Sequence, residues 1–273
     1  MTVTTLVGPT ISYGKTTAFV NALRSELLKI RSVPSTFWTL ACAVVFNVVL
    51  AAVVAVLIPG RLSAADRKTT DSIQLSLAGL HLSQVAIGVL GVLVITSEYS
   101  TGMIRATLSA VPKRSSVLSA KAVVFAAAAV IGGTISSFAA YFAFEAFLPS
   151  DAGYMKTSLS DPGVLRAVMG GGLYLAVLGL LGLGLGAVLR SSAGAIAALF
   201  GLLFVPQIFV QLMPGNWRDS IGPYLLMNAG SDIFVASQRE AASLSPWTGF
   251  GVFCLYAAIA LTAGFVSITR RDA

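Results

Sequence analysis

Six long apolar runs separated by polar segments set the rhythm of this chain. They cover Phe37–Ile58, Ile73–Thr96, Ala122–Leu148, Ala167–Leu189, Ala193–Met213 and Trp247–Ile268. Crossing a hydrocarbon layer takes about 20 residues of helix, and each run is of that order. The runs are continuous rather than alternating at every second residue, so they predict helices and not barrel strands. The second is the weakest, because Gln74, His81 and Gln84 dilute its outer half. Ahead of the first run the pattern changes. Phe19, Val20, Leu23, Leu27 and Ile30 recur at helical spacing, with Arg24, Glu26, Lys29 and Arg31 between them. This predicts an amphipathic helix over residues 18–31 that lies along a membrane surface. Pro34 breaks it, and the chain turns into the first span at Phe37-Trp38.

Composition agrees with a bilayer. Hydrophobic residues make up 56% of the 273, and charged residues only 11%, where a soluble chain carries about 25%. The distribution of charge sets the orientation, because loops on the cytoplasmic side are enriched in Lys and Arg. With both termini inside, the inner segments hold eleven basic and three acidic residues, and the outer segments seven of each. The net charge of +7 is thus a topology signal. It gives no support to a nucleic-acid partner, since no basic stripe with interleaved aromatics appears. The first 36 residues lack the apolar core of a cleavable signal peptide, so the first span is expected to serve for insertion.

The expected fold is an all-α integral membrane protein of six transmembrane helices, with both termini cytoplasmic. An N-terminal segment (1–36) precedes the transmembrane domain (37–268), and a short tail (269–273) follows it. Two segments within the domain stand out: an inner loop over 97–121 and a semi-apolar outer loop over 214–246. The outer loop is expected to form short helices that dip into the outer leaflet or cap a cavity.

Several chemistries are disfavoured. Gly8–Thr16 superficially resembles a phosphate-binding loop, but five residues separate its glycines, where the motif has four and follows a strand. His81 is the single histidine, which leaves no usual zinc set and no Ser-His pair. Cys42 and Cys254 fall inside spans and form no metal pattern. Glu145, inside the third span, is an ionisable group that is by default a functional candidate, though it lies near the outer end, where its carboxylate can reach the interface. Gln207 and Gln211 share one face of the fifth span beside Pro206 and are candidates for a polar substrate path. The glycines of the fourth span, from Gly170 to Gly186, predict close helix packing.

The inner loop carries the most information. Read as a helix over Glu98–Leu108, it puts Glu98, Gly102 and Arg105 on one face and Ile104, Leu108 and Val111 on another. Gly102 removes bulk where a partner surface would approach, and Glu98 and Arg105 offer charge-assisted hydrogen bonds. At this point the chain resembles the permease subunits of type-2 ABC (ATP-binding cassette) exporters. The resemblance rests on Arg24–Arg31 before the first span, on Glu98–Leu108 with Lys121 entering the third, and on the six-span plan. The Ala- and Val-rich style is similar to actinobacterial members.

The resemblance implies a cytoplasmic coupling helix after span two that sits on a separate ABC ATPase. Glu98, Gly102 and Arg105 would lie at that contact, with Arg24, Glu26 and Lys29 nearby. It also implies a second permease copy, identical or not, and a location in the cytoplasmic membrane of a bacterium. No cofactor is expected on this chain, which is not expected to be an enzyme; ATP and Mg²⁺ belong to the partner. The alternative from another class is a membrane scaffold or sensor without transport. A lipid-modifying membrane enzyme is weaker, for want of a metal cluster or acid–base set.

Overall fold

The computed structural model describes residues 15–32, 34–63, 70–104, 114–149, 156–236 and 243–270. Among them are ten α-helices: α1 (Lys15–Ser32), α2 (Pro34–Leu57), α3 (Ser72–Ser76), α4 (Leu80–Ser100), α5 (Arg114–Phe147), α6 (Val164–Leu189), α7 (Ser192–Gln211), α8 (Gly215–Ile221), α9 (Leu226–Ser231) and α10 (Pro246–Arg270). Six are long and apolar enough to cross a membrane: α2, α4, α5, α6, α7 and α10. These match the six runs, and the chain is an all-α integral membrane protein.

The helix α6 forms the centre. Of its apolar window 67% is buried, against 17% for the first span. It packs on α4, α5 and α10, and its glycines permit the approach. A Cβ on Gly182 would stand 2.5 Å from the Gly88 carbonyl oxygen of α4, and one on Gly184 2.6 Å from the Ala260 carbonyl carbon of α10. Backbones this close gain dispersion contacts that lipid cannot replace. Outward-facing Val45, Val49, Ile131, Ile135, Ile208 and Ile259 are all exposed, as a surface solvated by acyl chains requires.

The second run is not one helix. Asp71 caps α3, accepting from the backbone N–H of Ile73 and Gln74, and the chain then turns over Leu77–Gly79 before α4 begins. Gly79 sits directly against Asn47 of α2, leaving no room for a side chain. Asn47 is wholly buried and donates to Ser136 Oγ of α5 at 2.9 Å. The third run is longer than the hydropathy indicated. Its 34-residue helix spans about 51 Å, longer than a hydrocarbon core of about 30 Å.

The outer loop forms α8 and α9, each followed by a 3₁₀ turn, Gly222–Tyr224 and Asp232–Phe234. Trp217 and Tyr224 stay exposed, whereas Leu226, Ile233 and Phe234 are buried. Phe234 meets Tyr174 of α6 edge-on, with ring centroids 5.2 Å apart. Tyr174 lies ten residues into α6, about 15 Å down the helix axis, so the loop folds well into the bundle. Arg166 secures it, donating to the carbonyls of Ile233 at 3.2 Å and Val235 at 2.9 Å.

Candidate functional site

The inner end of the bundle carries a closed cluster of four charges. Lys121 of α5 donates to Glu26 of α1 at 2.8 Å and to Glu98 of α4 at 2.7 Å. Lys29 of α1 donates to the same two carboxylates, at 2.8 Å and 2.7 Å. Glu26, Glu98 and Lys121 are 7%, 3% and 2% exposed. Such burial is tolerated only because every charge has an opposite one at hydrogen-bond distance. For Lys29, burial works against the charge, but the hydrogen bonds it donates to Glu26 and Glu98, with their negative charges, outweigh it and hold its pKa above the ordinary lysine value.

The cluster joins three elements that are far apart in sequence. Glu26 belongs to the surface helix, and its neighbours Leu27 and Leu28 are exposed. Its acidic side chain points into the bundle, and leucines point out. Arg24 is exposed on the same helix. On its apolar side the cluster borders a cavity of about 340 Å³, walled by Leu90, Leu93, Val94 and Phe125.

The helix expected over Glu98–Leu108 does not run through. The helix α4 stops at Ser100, and Gly102 has φ 71°, the left-handed conformation that favours glycine. Gly102 thus ends the span, and no other atom would meet a Cβ placed there. Glu98 and Gly102 lie on either side of that break, so the periodic face shared by Glu98, Gly102 and Arg105 is not carried across it. Arg105 lies outside the described residues, as do Leu108 and Val111. Lys121, the hub of the cluster, was not among the expected site residues. Its signal was a basic residue placed immediately before an apolar run.

At the outer end a cavity of about 780 Å³ opens between the end of α7, the loop helices and the start of α10. Gln207 and Gln211 line it together, with Gln74, Arg218, Asn228 and Asp232. Gln207 donates to Asn228 at 3.1 Å, and Asn228 to the Gly222 carbonyl at 2.8 Å. Glu145 is elsewhere: its carboxylate accepts from the backbone N–H and the hydroxyl of Thr157, at 3.0 and 3.1 Å. His81 meets Phe234 edge-on, and its Nδ1 is buried without a hydrogen-bond partner among the described residues. No group of His, Cys, Asp and Glu fit to hold a metal occurs among the described residues.

Compared with known families, residues 36–273 match the model of the ABC-2 family transporter protein. The chain belongs to the ABC-2 transporter family. No individually curated protein matches it. The match begins just before the first span and covers all six, so this ABC-2 chain is the membrane-spanning permease part of an ABC transporter, working with an ABC ATPase in a membrane. The segment before residue 36, with Glu26 and Lys29, lies outside the match. Its link to the family region is the charge cluster, made through Glu98 and Lys121.

Proposed function

We propose that this permease is the path-forming subunit of an exporter, driven by a separate ATPase that docks at the inner end, where α1 meets the ends of α4 and α5. The charge cluster carries this reading. It fastens α1 to the inner ends of α4 and α5, so a push on any one of the three moves the others. In this reading exposed Arg24, together with Gly102 and Arg105, meets the ATPase. Glu26, Lys29 and Glu98 act beneath them by holding the contact surface in place. ATP and Mg²⁺ bind on the partner, and ATP exerts its effect by favouring one global state of the pair. Two permease copies enclose the path, and Gln207 and Gln211 line its outer part. Glu145, bound to Thr157, holds the connection between α5 and α6. The setting is the cytoplasmic membrane of a bacterium, with both termini inside. The scaffold alternative is the weaker one, since the family is one of transporters.

The test is co-purification of an ABC ATPase with the tagged chain in mild detergent. The expected result is an ATPase-active complex from which Arg24→Glu/Arg105→Glu releases the ATPase, while the permease elutes as a folded species. If that double variant keeps both the ATPase and transport, docking lies elsewhere. If no ATPase co-elutes from the native pair, the scaffold reading gains.

A further inference from the structure

The central span α6 ends on a residue that helix geometry alone would not choose. Arg190 follows Leu189 with φ 53°, the only positive φ outside glycine among the described residues. This left-handed turn closes many helices and is most often given to glycine, because a Cβ is crowded there. What the side chain reaches accounts for an arginine in its place. Its guanidinium carbon stands 5.3 Å from the centre of the Tyr99 ring, at the inner end of α4, within range of a cation–π contact. The same group donates to the Ser267 carbonyl of α10 at 3.1 Å. Ser267 lies in the last turn of α10, where an α-helix leaves carbonyls for donors from outside.

Arg190 thus joins two helices that otherwise hardly meet. The helix α10 packs along α6, against the outer loop and lightly on α5, but not extensively on α4. Tyr99 is the neighbour of Glu98, so the last turn of α4 is gripped from two directions. Glu98 ties it to α1 and α5 through Lys29 and Lys121. Tyr99 ties it, through Arg190, to the end of α6 and to α10. A further bond falls nearby, from the Ser192 hydroxyl at the start of α7 to the Thr96 hydroxyl at 2.8 Å.

We infer that Arg190 is a positioning residue that passes movement of the inner end of α4 to the last span, α10. The inference rests on the docking of an ATPase at that end, proposed above. The charge cluster carries the same movement to α1 and α5, and the two routes leave α4 from adjacent residues. One flat guanidinium serves both contacts, since it can stack on a ring while its edge donates to a carbonyl; an ammonium group cannot do both in that geometry.

The experiment uses the full chain with Cys42→Ala and Cys254→Ala, labelled with an environment-sensitive dye and then assembled with its ABC ATPase in lipid nanodiscs. The dye is attached through Thr269→Cys at the inner end of α10, or through Ser115→Cys at the inner start of α5; both positions are exposed. The reading is the fluorescence change on adding ATP, Mg²⁺ and orthovanadate. Both dyes should respond in the parent complex. Arg190→Gly should remove most of the response at position 269 and keep that at position 115, with the ATPase still bound. Glycine suits the left-handed turn, so a residue that only ends α6 would be replaced without loss. Tyr99→Leu should act as Arg190→Gly does, and Tyr99→Phe, which keeps the ring face, should act as the parent. A response at position 269 that survives Arg190→Gly and Tyr99→Leu would overturn the inference and send the movement through the packing of α6. Loss at both positions would also overturn it, since Arg190 would then hold the whole inner end. If the parent complex fails to form, or neither dye responds in it, the docking reading itself fails and this inference with it.

Discussion

Lys121 is the residue on which the inner end depends. It is 2% exposed and holds two carboxylates that would otherwise face each other. Lys121→Met should cost about 3–5 kcal/mol, the usual result of leaving buried charge uncompensated, and a melting curve in detergent measures it. Lys29→Met should cost clearly less, because its side chain is 30% exposed and water can take its place. The sign of the pH effect follows from the raised pKa of Lys29. Its contribution is complete below the ordinary lysine value of 10.5 and is lost only as the pH rises through the higher folded-state value. The docking of α1, followed by protease protection of the first 36 residues, should therefore not change between about pH 7 and 9 on account of this lysine. Sequence alone picked out Glu26, Lys29 and Glu98 as charged residues near a membrane boundary, but it read them as surface groups. Pairing across 95 positions, as between Glu26 and Lys121, leaves no trace in local periodicity. Only the packing of three helices brings these side chains together.

At the scale of elements, the glycines of α6 all lie against neighbouring helices or the loop, whereas some glycines of other spans meet nothing. Gly182→Ala should destabilise by about 1–3 kcal/mol, since its Cβ meets backbone that cannot step aside. Gly132→Ala in α5 meets nothing within 4 Å and should be neutral or slightly stabilising, because alanine is the better helix former. Thermal melting of the two variants side by side is the check. All six spans could be read from the sequence, because hydropathy over 20 residues reflects the same physics that places a helix in lipid. The breaks in helices were harder to read. The turn over Leu77–Gly79 is set by Asn47 on a different helix, and the stop at Gly102 by one left-handed residue in a segment whose spacing suits a longer helix. The outer loop was legible as semi-apolar short helices. Its anchor, Arg166, was not, since a guanidinium that binds backbone carbonyls depends on no particular partner sequence. Arg166→Lys loses that planar fan of donors and should expose the loop over 214–246 to protease from outside.

The whole molecule presents two ends of opposite character. The outer end is an open cavity lined by amides, and the inner end is a closed knot of ion pairs. A cysteine at Gln211 should react with a membrane-impermeant thiol reagent from the outer side, whereas one at Ala128 should not. The reverse pattern would overturn the orientation. The inner knot has a consequence for energetics. Its two carboxylates and two ammonium groups sum to zero, and they sit within hydrogen-bond distance of one another. An electric field across the bilayer does work only on net charge that moves through it, about 2.3 kcal/mol per elementary charge per 100 mV. Moving as a unit, the knot contributes no gating charge. The membrane voltage therefore neither drives nor resists displacement of the knot itself, whatever force moves the three helices it ties together.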